Sequence, residues 1–115
     1  MRIKNDNGNI GIGTTNPTQK LSVNGTVLAK EVVVSLASTN WPDYVFEDGY
    51  NLKPLSEVDN YIKVHNYLPN VPSAKEVEEK GISLGEMQKI HMEKIEELTL
   101  YVIELEERLN KLGNK

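Results

Sequence analysis

Residues 83–112 read SLGEMQKIHMEKIEELTLYVIELEERLNKL. Within them Ile95, Leu98, Val102, Leu105, Leu109 and Leu112 are spaced 3, 4, 3, 4 and 3. This is an a/d heptad seam, the narrow apolar stripe along which helices wind round one another. A lone helix of this length is marginal in water, and its stripe would be left exposed. The seam therefore asks for a partner, and the simplest is another copy of the chain. Ile at an a position with Leu at d is permissive, while Val102 leans towards two strands, so dimer and trimer both stay open. Arg108, at g ahead of Leu109 and Leu112, begins a pattern of short trimeric coils, but Gly113 stands where that pattern has Glu. Upstream the stripe broadens to Leu84, Met87, Ile90, His91 and Met92, a surface suited to packing against a globular part. The same register projected backwards puts Gln88 at a and His91 at d. His91 then either makes a polar layer that titrates near neutral pH, or lies at the edge of the globular part after a register shift. The second reading is preferred.

The totals point the same way. A chain of 115 residues, 38% hydrophobic and 6% aromatic, has room for one small domain or two modules in line, and for little private core. It has no Cys, which removes disulfides and thiolate metal sites together. With only His65 and His91, a multi-His metal site within one chain is not expected either. Oligomerisation is the remaining route to stability. Thirteen Lys and Arg against seventeen Asp and Glu give a net charge of −4, and no basic run follows a phosphate backbone, which argues against nucleic acid. No apolar run approaches the roughly 20 residues of a membrane span. The first nine residues are polar and lack the apolar centre of a secretion signal, so the chain is expected to be a soluble product or a piece of a longer one.

Residues 5–34 read as short β structure. Asn5 to Gly13 carries four Asn or Asp and three Gly around Ile10 and Ile12; Gly11 and Gly13 signal close backbone approach or tight turns. Asn16-Pro17 marks a turn. Leu21 and Val23 alternate with polar neighbours, and Asn24-Gly25 predicts a hairpin whose return strands come from Thr26–Leu28 and Val32–Val34. So few large side chains bury little alone, so these strands need neighbouring chains or upstream repeats. A phosphate loop is argued against by the missing Gly-Lys-Ser/Thr ending. Residues 35–54 hold Trp41, Tyr44, Phe46 and Tyr50, read first as a small packing core and second as a sugar-binding platform. Asp43, Glu47 and Asp48 lack any spacing that sets an acid against a base and read as turn residues and caps.

Three helices follow. Ser56 is placed as the cap of the first, whose Val58, Tyr61, Ile62 and His65 share one face, and which must end before Pro69. His65 is expected to be a partly buried packing residue. Ser73 with Glu76 forms a capping box for a short helix closed by Gly81. Ser83 with Glu86 forms a second box, with Ile82 and Met87 as its hydrophobic staple.

The stretch Gly8-Asn-Ile-Gly-Ile-Gly-Thr-Thr-Asn-Pro17, then Lys20-Leu-Ser-Val-Asn-Gly25, resembles the repeat of tail-fibre-like proteins from phages and Bacteroidetes-type bacteria. The rest, with Tyr44-Val-Phe46, Leu52, Leu68-Pro69, Pro72-Ser-Ala-Lys-Glu-Val77 and Leu84-Gly-Glu-Met87 before a coil, is similar in layout to the tail-fibre C-terminal chaperone group. The better-known members of that group are the intramolecular chaperones of phage endosialidases and tail spikes. The resemblance covers nearly the whole chain. It implies a trimer whose C-terminal domain gathers three chains and sets their register, lowering the entropy cost of entwined β pairing upstream. Many members then cut themselves off at a Ser followed by Asp. Here Ser22, Ser35, Ser38, Ser56, Ser73 and Ser83 are followed by Val, Leu, Thr, Glu, Ala and Leu, so self-cleavage is expected to be absent.

The expectation is an α+β chain with three parts. Residues 1–36 form a short fibre-like β stem that pairs between chains, and residues 37–82 a small aromatic-cored helical domain. Residues 83–115 form a long helix ending in a parallel coiled coil, and the whole is a homotrimer. Its expected role is trimeric assembly and capping of a tail fibre or similar surface fibre, with no enzymatic activity, cofactor or metal. Expected partners are the chain itself, an upstream fibre shaft and a cell-surface receptor or glycan. The alternative is a receptor- or glycan-binding tip carrying Trp41, Tyr44 and Tyr50.

Overall fold

The computed structural model describes residues 2–3, 8–36 and 41–113. Residues 5–7 of the Asn/Gly-rich stretch, and Ser38, lie outside them. The elements are those of an α+β chain, and they fall into two compact units, Met1–Val33 and Val34–Lys115. Among the described residues no helix is long and apolar enough to cross a membrane.

The first unit is a small sheet of β1 (Arg2–Ile3), β2 (Ile10–Ile12) and β3 (Leu21–Val23) in that spatial order. β1 runs antiparallel to β2, whereas β2 and β3 are parallel, with Ile10 opposite Leu21 and Ile12 opposite Val23. Parallel neighbours ordinarily need a crossover of about a dozen residues or more; here residues 13–20 suffice because they coil tightly. The Ser22 hydroxyl accepts from the Thr18 and Gln19 amides at 3.1 and 3.3 Å, the Asn9 side chain donates to the Pro17 carbonyl at 3.2 Å, and Pro17 is buried. The glycines are required at their places. A Cβ on Gly11 would collide with the Thr14 carbonyl oxygen, and Gly13 has φ +75° with the Asn24 carbonyl 2.9 Å from where its Cβ would lie.

The expected Asn24-Gly25 hairpin does not form. A two-residue type I′ turn needs positive φ at both positions, and Asn24 is not among the residues that have it. The Asn24 amide instead donates to Ile12 O at 2.8 Å and its side chain to Gly13 O at 3.3 Å, tying it back to β2. Residues 26–36 consequently carry no regular secondary structure, and Val27, Leu28, Val32 and Val33 are exposed.

The second unit begins with the 3-10 turn Pro42–Phe46 and continues through α1 (Leu55–His65), α2 (Ala74–Lys80) and α3 (Leu84–Gly113). Trp41 precedes a proline and is held extended (φ −62°, ψ 140°), as the proline ring demands. In a 3-10 turn residues three apart eclipse, so Pro42 and Val45 share one face, and both are fully buried. This turn packs on α3, and Val45 is the one buried hydrophobic side chain among the described residues. At the start of α3, Gly85 is buried because Val34 and Leu36 lie over it, where a Cβ would fall 2.9 and 2.5 Å from their methyl groups.

α2 follows its sequence signals. Ser73 caps it by accepting from the Glu76 amide at 3.2 Å, and Gly81 closes it at φ 73°. α1 departs at its start. Pro54 occupies the cap position and its carbonyl accepts from Glu57 and Val58, placing Ser56 inside the first turn. Its end is set by Asn66 in the left-handed region at φ 64°. His65 is exposed rather than partly buried; its ring stands 4.2 Å from that of Tyr61 and 5.7 Å from that of Tyr67. α1 buries none of its own residues.

Candidate functional site

The arrangement round α3 separates two faces. In the register that puts Ile95, Val102 and Leu109 at a, and Leu98, Leu105 and Leu112 at d, Glu93, Glu96 and Glu97 fall at f, b and c. With about 100° of turn per residue, these three point away from the seam. The 3-10 turn and the chain after it grip this outer face: Tyr44 donates its hydroxyl to Glu93, and Tyr50 donates to Glu97 at 2.7 Å. Lys94 bridges the same carboxylates, at 3.5 Å from Glu93 and 3.0 Å from Glu97. One turn further on, the Tyr101 hydroxyl donates to Lys53 O at 2.6 Å. The a/d residues are left clear, each between 47 and 68% exposed.

The phenols are locked in the donor state. The Glu93 hydrogen bond, then burial, push Tyr44 up to about 12; burial, then the Glu97 hydrogen bond, raise Tyr50 further. Glu96 is unlike its neighbours. It is 6% exposed, its Oε2 accepts no hydrogen bond, and burial first, then Asp43, then Glu93, raise its carboxyl above the usual range. A raised folded-state pKa adds stability that is complete below the unfolded pKa and lost as pH climbs through the folded one. Glu96→Gln, which mimics the protonated acid, is therefore expected to raise the melting temperature at pH 8 and leave it unchanged at pH 4. Coincident melting curves at pH 8 would refute this account of Glu96.

The residues singled out from sequence are distributed unequally. The six seam residues form one continuous exposed stripe. Of Trp41, Tyr44 and Tyr50, the first is exposed, while the two tyrosines are half-buried, 6.0 Å apart between ring centres, with their hydroxyls on α3. Asp43 lies within the 3-10 turn and Glu47 caps its end. His91 is exposed. Among the described residues no group of three or more His, Asp or Glu gathers as a metal site. The carboxylate partners of the tyrosines escaped the sequence reading; their one signal was an acidic cluster, Glu93, Glu96 and Glu97, on the face opposite the seam.

No protein-family model matches the chain, and neither a curated protein nor a solved structure does.

Proposed function

We propose that this chain is a homotrimeric assembly and capping module at the C-terminal end of a tail fibre or similar surface fibre, acting without self-cleavage and without enzymatic activity. The observation that carries this reading is the bare a/d stripe on α3, whose opposite face is already occupied by the 3-10 turn. With Val45 as the one buried hydrophobic side chain among the described residues, a protomer has little core of its own, and association supplies what is missing. The exposed Val27, Leu28, Val32 and Val33 in the first unit favour the same reading, since a stem segment of this kind completes its sheets with strands from other copies. The choice of three chains over two rests on the resemblance to the tail-fibre chaperone group. In that role the coil collects three chains first and lowers the entropy cost of pairing an upstream shaft. The alternative, a receptor- or glycan-binding tip, draws mainly on the exposed Trp41, because Tyr44 and Tyr50 are committed to α3.

Sedimentation of this chain and of a version ending at Glu93 tests the proposal. The full chain is expected at three times its 13.0 kDa mass, and the shortened one is expected to dissociate. A full chain that stays monomeric overturns the assembly role.

A further inference from the structure

Beside the seam, a groove with apolar walls and a partly charged rim runs between α1 and α3. Its upper half, of about 170 Å³, is bounded by Val58, Leu68, Pro69, Leu98 and Tyr101. Its lower half, of about 480 Å³, is bounded by Pro54, Leu55, Tyr101 and Leu105 and rimmed by Lys53, Glu104 and Arg108. Leu98 and Leu105 belong to the seam as well, so groove and seam are one continuous surface. On the c, g and d side of α3, α1 extends that surface past the limits of an ordinary coil.

Ile103 is the unexplained residue on the same helix. It is a large apolar side chain at position b, outside the a/d stripe, and 47% exposed. It cannot reach the groove of its own protomer, because it points about 200° round the helix from Tyr101, the groove's floor. We propose that Ile103 of one copy docks in the groove between α1 and α3 of the next copy, so that each protomer of the trimer both gives and receives an isoleucine.

This inference rests on the trimeric reading. Three-fold symmetry makes the helices parallel and sets equal residues at equal heights. Ile103 of a neighbour then stands level with Tyr101, Glu104 and Leu105, which line the lower half. In a parallel coil the g side of one helix faces the e side of the next, and b lies immediately beyond e. The neighbour's e and b row over this span is Thr99, Ile103, Glu106 and Asn110, with one negative charge. The receiving lower half carries Lys53 and Arg108 against Glu104, with one positive charge left over. Apolar shape and charge thus match the same occupant.

Disulfide trapping tests it, because the chain has no cysteine of its own. Leu55 and Ile103 are both exposed in the protomer, so cysteines there leave its fold intact. The double variant Leu55→Cys with Ile103→Cys, oxidised after assembly, is expected to run as a covalent trimer under denaturing, non-reducing conditions. Each single variant is expected to run as the free chain. An assembled trimer in which the double variant stays uncrosslinked, or closes the disulfide within one chain, overturns the docking while leaving trimerisation standing. A monomer by sedimentation overturns both. As a second measurement, Ile103→Arg is expected to raise the concentration at which the trimer dissociates tenfold or more, and Val64→Arg, on an exposed part of α1 away from the groove, to leave it unchanged; equal behaviour of the two also overturns the docking.

Discussion

A Leu105→Asp chain is expected to sediment as a monomer at concentrations where the parent is assembled. Leu105 sits at a d position midway along the seam and is 47% exposed in the protomer, so the fold of one chain does not depend on it. In a three-fold coil the same position becomes a layer of three leucines meeting at the axis. Removing a leucine from such a core costs about 2–5 kcal/mol per chain, and each symmetric substitution is made three times. The aspartates add a second penalty, because three carboxylates are brought together in a poorly hydrated place. Together these exceed what a short coil gains by associating. The contacts on the other side of α3 are untouched, so the Tyr44–Glu93 and Tyr50–Glu97 pairs should persist and near-ultraviolet dichroism should stay close to the parent's. Leu105→Met, similar in volume and apolar, is expected to remain assembled. A Leu105→Asp chain of unchanged mass would remove the seam from the assembly account.

Val45→Asp is expected to act on the opposite face with a comparable effect of a different kind. Val45 is 1% exposed and anchors the 3-10 turn to α3. A carboxylate there is buried without a partner, beside a helix face that already carries Glu93, Glu96 and Glu97. The penalty for an uncompensated buried charge is about 3–5 kcal/mol, enough to release the turn from the helix. The expected signature is loss of near-ultraviolet dichroism from Tyr44 and Tyr50 and rapid hydrogen exchange across the turn, with the seam still able to associate. Val64→Asp, at a valine 73% exposed on α1, is the matched control and should change stability by no more than about 0.5 kcal/mol. Indistinguishable melting of the two variants would show that the turn is not anchored through Val45.

The two variants divide the protein along the line that divides local from distant information. The seam, the Ser73–Glu76 cap and the Gly81 stop were legible because each depends on residues a few positions apart, on spacing or on one hydrogen bond. The need for glycine at Gly11 and Gly13 was legible for the same reason, though not that the Thr14 and Asn24 carbonyls impose it. The hairpin at Asn24-Gly25 was misread because the amide and side chain of Asn24 are claimed by Ile12 and Gly13, which lie behind it in the chain. Pro54 displaced Ser56 as the start of α1 because the proline carbonyl was already aimed at Glu57 and Val58. Tyr44 and Tyr50 read as a core or a platform until their hydroxyls were placed on carboxylates 49 and 47 residues away.

By itself the sequence determined that α3 is a long helix with one narrow apolar stripe, since a 3–4 spacing of apolar residues has one geometric meaning on a helix. Only the tertiary structure decided which face of α3 stays exposed. That choice depends on where the 3-10 turn docks, and docking is governed by burial of Pro42 and Val45 and by the Tyr44 and Tyr50 hydroxyls reaching Glu93 and Glu97, which no local pattern connects to them.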